Sequence, residues 1–362
     1  MRICLLGKNL SNFVLANVLA NKKLKIDILF SSDFYNNDSS RTLAISEENY
    51  DYLKKVNNKL NISAWPTKNI KIYLEKLRSQ ELFEFNNKEK NNFFLIKYKE
   101  IYNFFLKNLK KRNNVNFFKI KKNSKVLYQK IKKYDLIINS DPKSHVSKRY
   151  FYKKVEKNYN STAYTSIVTH KKLKNNISVQ IFTKKGPLAF LPLSDTRTSI
   201  VFSYNGRKKI TEKQIIEIIK RFNIKYNLNK FGKIEKYNLK FSMLRKYFHQ
   251  NILSFGDVLH RVHPLAGQGF NMTIRDIKIL SKLIEEKIDL GLEINSSVAD
   301  EFQNKTKHLN YIYGSGIDLI YEFFKLDHKV DNILSDKIFK ILNKNNFFNK
   351  YATYFSDKGI TY

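Results

Sequence analysis

The chain has 362 residues, 42% hydrophobic and 14% aromatic, which supports a large core and excludes a disordered tail. Its 67 Lys+Arg against 32 Asp+Glu give a net charge of +35, a field that draws nucleic acid or an anionic membrane surface. The single cysteine, Cys4, excludes an internal disulfide framework and suits a reducing compartment.

Residues 2–6, "RICLL", read as a buried strand that Gly7 ends. Leu10, Phe13, Val14, Val18 and Leu19 then recur with a helical period, and 24–30, "LKIDILF", is a second strand. Strand, glycine turn, helix and strand make a βαβ unit, so a parallel sheet begins here. Residues 47–60 and 98–111 read as helices, and 134–141, "YDLIINSD", as a further buried strand. The middle changes character. "STAYTSIVTH", "NISVQIFT", "GPLAFLPL" and "TSIVFSYN" are β-prone runs parted by turn residues, which predicts an inserted antiparallel sheet. Residues 211–226 return to a helix, and 252–257 to a strand of the first kind. Phe270, Ile274, Ile277, Leu280, Leu283, Ile284 and Ile288 form one stripe of a long helix, followed by helical segments at 297–325 and 330–355. The predicted class is α/β with an inserted antiparallel sheet and C-terminal helices. No apolar run approaches the roughly 18 residues that a membrane-spanning helix needs. The opening apolar run is also too short for a signal peptide's core, so the expected location is cytoplasmic.

"GDVLHRVHPLAGQGFNM" (256–272) holds three of the eleven glycines and one of the five prolines. Asp257 falls at the carboxyl end of a parallel strand, where open α/β sheets bind ligands and a carboxylate accepts from sugar or ribityl hydroxyls. Gly267 and Gly269 supply positive φ or close backbone approach. The following helix presents unpaired N–H groups and its positive dipole end to an anion or an electron-rich ring edge. Pro264 stiffens the approach, and Gln268 and Asn271 add amide groups. A loop that uses its glycines only for turning is the plainer alternative.

This stretch closely resembles the "GDAAHxxHPxxGQGxNxGxxD" segment of class A flavoprotein monooxygenases. The branch it is most similar to is the ubiquinone-biosynthesis hydroxylases, whose form is "HPLAGQGLN". The match holds at Gly256, Asp257, His260, His263 to Gly269, Asn271 and Asp276. "SSRTLAIS" (39–46) is similar to the family's "DxRxxALS", with Arg41 in the flavin-contacting position. "GPLAFLPLSDTRTSIVFS" (186–203) is similar to strands of its substrate domain, and "DLIYEFFKLD" (318–327) to a later segment.

The resemblance implies a Rossmann-like FAD-binding domain of the glutathione-reductase and p-hydroxybenzoate-hydroxylase type. That domain would be split into residues 1–60, 96–150 and 246–295. Residues 61–95 and 151–245 would form the substrate domain, and 296–362 a C-terminal helical region. It implies FAD as cofactor, NAD(P)H as electron donor, and O2 activated by reduced flavin to hydroxylate an electron-rich phenol. The phenol would carry a polyprenyl tail, collected from an anionic membrane surface or from other ubiquinone-biosynthesis proteins. Cofactor contacts would fall on Gly7, Asn9, Arg41, Gly256, Asp257, Pro264, Gly267, Gln268, Gly269 and Asn271. His263 and Pro264 would lie nearest the ring as catalytic candidates.

The chain also departs from the family. Its first turn, "GKNLSN", has Asn9 and Asn12 where the GxGxxG pattern has glycines, and a side chain at both places is expected to crowd the pyrophosphate site. The second strand ends in Phe30-Ser31, with Asp33 too late for the expected acid. "SDPKSHVSK" (140–148) keeps Asp141 but has Pro142 for glycine and Lys148 for arginine, and Thr273 replaces another glycine. The segment between Asn114 and Asp135 is too short for the family's strand pair. Two readings stand: a hydroxylase with looser FAD binding, and a non-catalytic paralogue that serves as a partner protein.

Other signals are weaker. His260 and His263 form H-x-x-H, but no cysteine pair or acidic cluster completes a zinc site, so no metal is expected. Arg41 is alternatively a plain surface cation, and Trp65 alternatively core or substrate contact. The lysines are scattered rather than gathered on one face with aromatics, so no nucleic-acid partner is expected.

Overall fold

The computed structural model describes residues 1–22, 24–31, 40–57, 60–75, 82–86, 90–120, 124–206, 210–264 and 267–327. Arg2–Leu6 (β1) buries Ile3 to Leu6 in succession, as a strand covered on both faces does. Gly7 turns at φ 112° into Leu10–Leu19 (α1), whose N-cap is Asn9. Lys25–Phe30 (β2) returns parallel to β1. Thr42–Ser46 (β3) runs into Glu47–Val56 (α2), whose acidic first turn and basic last turn match the helix dipole. Ala64–Thr67 (β4), Asn69–Leu74 (β5), Phe83–Asn86 (β6) and Phe93–Lys97 (β7) precede Tyr98–Leu109 (α3). Val115–Lys119 (β8), Ser124–Ile131 (α4), Leu136–Asn139 (β9) and His145–Tyr150 (α5) follow.

Lys154–His170 (β10), Ile177–Thr183 (β11), Gly186–Ser194 (β12) and Arg197–Asn205 (β13) come next. Glu212–Phe222 (α6) starts with a capping box in which Thr211 and Gln214 serve each other's backbone N–H. Then come Leu228–Phe231 (β14), Glu235–Leu244 (β15), Phe248–His249 (β16) and Ile252–Ser254 (β17). A 3-10 turn at Gly256–Val258 and the short His260–Arg261 (β18) lead to Gln268–Asp289 (α7) and Ser296–Asp327 (α8).

One six-stranded sheet has the order β16-β17-β9-β1-β2-β8, parallel except at the β16 hairpin. α1, α3 and α7 cover it and share its core. The large sheet has the order β18-β15-β10-β13-β12-β11-β5-β6, with β14 beside β10. It is antiparallel except where β5 pairs parallel with β11. α6 packs on one face of it and α8 on the other. β3-β7-β4 form a small third sheet.

The chain between Asn114 and Asp135 carries one strand and a helix, β8 and α4, as its length required. The strand read at 252–257 stops at Ser254, because Gly256 at φ 55° bends the chain into the 3-10 turn. The third sheet and β15 were not expected; the third sheet's runs are short, whereas β15 alternates Tyr237, Leu239, Phe241 and Met243 with polar residues, a strand signal present in the sequence. The segment read as helical at 330–355, and Asp33, lie outside the described residues. Among the described residues no helix is long and apolar enough to cross a membrane.

Candidate functional site

Two helix amino ends, that of α1 after parallel strand β1 and that of α7 against β3, are finished differently. At α1, Asn9 Oδ1 accepts from the Asn12 N–H at 3.1 Å, one of the donors an anion would use. Asn9 Nδ2 donates to Ser140 O at 3.1 Å and Ser140 Oγ at 2.8 Å, tying the turn to the end of β9. Asn12 does not crowd the turn. It is fully buried, and its amide donates to Leu6 O (3.0 Å) and Gly7 O (2.8 Å), bracing β1 against α1 from within. Gly7 is closed in: a Cβ there would meet Asn9 Nδ2 at 3.0 Å and both Ser140 Oγ and Asp141 Cβ at 3.2 Å. Burial pushes the Asp141 carboxyl up from its ordinary range, against the Lys143 N–H that it accepts. Gly256 belongs to this group, since a Cβ on it would meet Ser11 Oγ at 2.8 Å. Asp257 beside it is exposed and its carbonyl accepts from Arg261 Nε.

At α7 the N-cap is Gly267, at φ 66°, with no side-chain cap. A Cβ there would meet Ala44 Cβ at 2.8 Å and Ala44 N at 3.1 Å, so the helix begins hard against β3. Asn271 locks it there. Its Oδ1 accepts from the Ser46 N–H (3.0 Å) and the Asn49 amide (3.1 Å), and its Nδ2 donates to Ala44 O (2.9 Å). Gln268 Oε1 accepts from the Tyr313 hydroxyl of α8. Gly269 is not required by packing, because the nearest atom to a Cβ there is Val262 Cγ2 at 3.7 Å. Pro264 is half-buried; Leu265 and Ala266 lie outside the described residues. Arg41 lies over the Tyr98 ring at 4.5 Å, and its carbonyl accepts from the Tyr98 N–H.

The H-x-x-H pair is split. His260 Nε2 lies 2.7 Å from Asp276 Oδ2, and Asn310 donates to Asp276 Oδ1, a buried network joining β18, α7 and α8. His263 is 1% exposed, stacked on Tyr321 with ring centroids 4.2 Å apart and edge-on to Tyr159. Among the described residues neither of its ring nitrogens has a hydrogen-bond partner. Burial pushes its pKa down to about 3, against a small opposing pull from Asp318, so the ring is neutral. Trp65 takes the core alternative: its Nε1 donates to Asn175 O and it packs with Ile70, Leu191 and Ala44.

The large sheet adds what the sequence did not single out. Alternation puts Ile200, Phe202, Val179 and Phe190 under α6, so the alternate residues face the other way. On that inner face Ile167, Leu191 and Ile70 pack with Ala44, Phe93 and Leu95. Further along, Leu74, Phe182 and Ala163 pack under Tyr321 and Phe324 of α8. Between the two clusters runs one register row, Ile72–Gln180–Ala189–Val201–Thr165–Glu235. Gln180, Ala189 and Val201 belong to neither cluster, and Gln180 and Val201 stay half-exposed. At one end Thr165 Oγ1 meets Ser40 Oγ at 2.7 Å, and Glu235 accepts from Ser40 N and the Tyr237 hydroxyl. The row ends one residue from Arg41, and Ala44 links its neighbouring cluster to the α7 amino end. A flat apolar strip with polar ends suits an aromatic ring that carries a hydroxyl.

The FAD binding domain family matches residues 144–289. Escherichia coli (strain K12) 3-demethoxyubiquinol 3-hydroxylase is 31% identical over 153 residues, 40% of this chain and 39% of that protein. The mitochondrial ubiquinone biosynthesis monooxygenase COQ6 of Caenorhabditis elegans is 26% identical over 217 residues, 47% of this chain and 48% of that one. Over these stretches the chain is similar to ubiquinone hydroxylases and to the FAD binding domain that the family model describes. The matches span less than half the length of these curated relatives. The fold is that of p-nitrophenol 4-monooxygenase PnpA from Pseudomonas putida DLL-E4, with a TM-score of 0.78 over 99% of this chain and 98% of that one, at 11% identity. Klebsiella pneumoniae HpxO, crystallised with FAD and uric acid, gives 0.72 over 99% and 97%, at 10% identity.

The residues present fit an FAD on the ring side. The uncapped α7 amino end is seated on Ala44, whose cluster borders the open row, and Asp257, next to Gly256 at the α1 turn, has its carboxylate exposed for hydroxyls. The ADP side is altered rather than closed, since a phosphate approaching α1 meets the Asn9 amide instead of bare backbone.

Proposed function

We propose that this chain is an FAD-dependent monooxygenase that hydroxylates the aromatic ring of a polyprenyl phenol in ubiquinone biosynthesis, with NAD(P)H as electron donor. The observation that carries the reading is the uncapped amino end of α7, fixed on Ala44 beside the half-exposed row of the large sheet. When bound, FAD supplies the activation of O2. One oxygen atom enters the ring, the other leaves as water, and NAD(P)H provides the two electrons.

The chain's own residues bind, orient and exclude water. The first-turn N–H groups of α7 favour negative charge on the ring edge. Asp257 accepts from the ribityl chain. Ala189 and Val201 give the phenol ring a flat apolar bed, with the Gln180 amide beside it on one neighbouring strand and the Thr165 hydroxyl on the other. His263, enclosed by Tyr159 and Tyr321, shapes the loop behind Pro264 and transfers no proton.

The working location is cytoplasmic and peripheral to an anionic membrane, where a greasy substrate resides. The second reading, a non-catalytic partner of other ubiquinone-biosynthesis proteins, is favoured by one observation, the Asn9 amide bridged to Ser140. The absorbance spectrum of the purified protein separates the two. Flavin bands in the wild type, reduced in Asp257→Ala by a loss of roughly 1–3 kcal/mol in affinity, support the enzyme. Because Asp257 is exposed, its melting temperature should not change. Colourless protein that takes up no added FAD makes the partner reading the better one.

A further inference from the structure

α8 is amphipathic in an unusual way along its second half. Its inner side, Ile317, Tyr321 and Phe324, packs on the large sheet next to the open row. Its outer side is also apolar. Leu319 is 72% exposed, Ile312 and Leu326 54%, and Ile320 50%, and Phe323 is half-exposed between them. At helical spacing these five line one face, with the small Ser315 and Gly316 completing it. A large exposed apolar face of this kind marks a binding surface.

The charges around it have one sign in effect. Of the three carboxylates in this half of the helix, Asp327 is buried and the other two are neutralised by lysines: Lys157 Nζ lies 3.0 Å from both Asp318 Oδ2 and Glu322 Oε1, and Lys325 Nζ 3.5 Å from Glu322 Oε1. Exposed basic residues stand alongside. Arg245 and Lys246 follow Leu244, whose carbonyl accepts from the Tyr311 hydroxyl of α8, and the Arg245 N–H donates to Lys153 O. Lys153 and Lys154 are exposed on that strand end, and Lys305 on the helix itself.

We infer that the outer face of α8 is the surface by which this protein docks on an anionic bilayer. The apolar stripe enters the headgroup boundary while the basic rim meets lipid phosphates, the pairing by which interfacial helices bind. The inference rests on the proposed polyprenyl substrate for its purpose: the same helix that touches the membrane roofs the end of the substrate row, so a tail leaving that row passes beside it.

The test is flotation of the full-length protein on phosphatidylcholine vesicles with and without roughly one-third phosphatidylglycerol. Wild type should float with the anionic vesicles only, and less at high salt. Leu319→Glu/Ile320→Glu should lose about tenfold or more in partitioning. Replacing Lys153, Arg245 and Lys246 by Gln should lose a similar factor, with circular dichroism unchanged in both variants. Undiminished flotation of the double-glutamate variant overturns the inference.

The native cysteine is buried, so Ser315→Cys accepts an environment-sensitive dye selectively. Its emission should shift to the blue when anionic vesicles are added. Emission already blue without vesicles means that another part of the chain or a second copy covers the face, which also overturns it. Flotation needs neither flavin nor turnover, so docking through this face by a protein that hydroxylates nothing would sink the enzyme reading and leave the surface standing.

Discussion

The two helix amino ends that face the candidate cofactor site carry opposite solutions to one problem. A helix leaves its first N–H groups without intrahelical partners. At α1 the chain answers with its own side chain, since Asn9 caps Asn12 and ties itself to Ser140. At α7 it places Gly267 at the cap, gives no side chain to the task, and spends Asn271 on anchoring the helix to β3 instead. A self-satisfied helix end is stable without a ligand, whereas a pinned but uncapped one is preorganised for something that supplies acceptors. The α7 end therefore has the character of a binding site, and the α1 end that of a structural turn.

The largest expected effect breaks the α7 half. Gly267→Ala must hold a left-handed φ, at about 1–2 kcal/mol, and force a methyl to within 2.8 Å of Ala44 Cβ. The sum should be about 3 kcal/mol in urea unfolding, with loss of bound flavin. Gly291 is the control: its φ is 70°, yet a Cβ there has nothing within 4 Å. Gly291→Ala should cost only the conformational part, about 1 kcal/mol, and keep the flavin. Equal losses in both variants would mean that the seat on Ala44 contributes nothing.

Much of the α7 half was legible in sequence because its requirements are backbone requirements. Left-handed φ needs glycine, and "GQGFN" advertises it. The stripe from Ile274 to Ile284 gave the helix, and its members are buried. The α1 half misled for the complementary reason. Asn9 and Asn12 read alike as intrusions, but what each does depends on partners over 100 residues away or on which way the amide turns. Ser140 as the partner of Asn9, Asn49 as a partner of Asn271 and the Gln180–Val201 row all come from tertiary register, which one-dimensional pattern does not carry. Gly269 shows the reverse: a motif glycine whose surroundings would accept a methyl.

His263 sharpens the comparison from the side of the loop that joins the two regions. Its pKa is pushed down to about 3 from an ordinary 6.5, so as the pH falls the unfolded chain takes up the proton first. The stability that the neutral ring contributes is complete above about pH 6.5 and is lost progressively between that value and pH 3. The steepest part of that loss should approach roughly 1.4 kcal/mol per pH unit. His263→Phe should flatten the curve over that window while leaving stability at pH 7 equal or higher, since two unpartnered buried nitrogens are removed. An unchanged acid slope would show that the ring is solvated or paired in solution. A hydroxylation rate that gains or loses a transition near neutral pH in this variant would return His263 to the catalytic candidates.

The smallest effects test the α1 half directly. If both asparagines obstructed a pyrophosphate, changing either to glycine would tighten FAD. The geometry separates them instead. Asn12→Gly removes two buried donors from Leu6 O and Gly7 O and adds backbone freedom inside α1, so it should cost about 2 kcal/mol of stability and weaken FAD by loosening the turn. Asn9→Gly replaces a good cap by a fair one, at a few tenths of a kcal/mol. It frees the Asn12 N–H, Ser140 Oγ and Ser140 O together, the three groups that the Asn9 side chain now occupies. Only this variant should bind FAD more tightly, measured as a fall in the dissociation constant by flavin fluorescence titration. If Asn9→Gly binds FAD less tightly than wild type, the amide is itself a phosphate ligand. The α1 end would then be a second way of building the same site rather than a retreat from it.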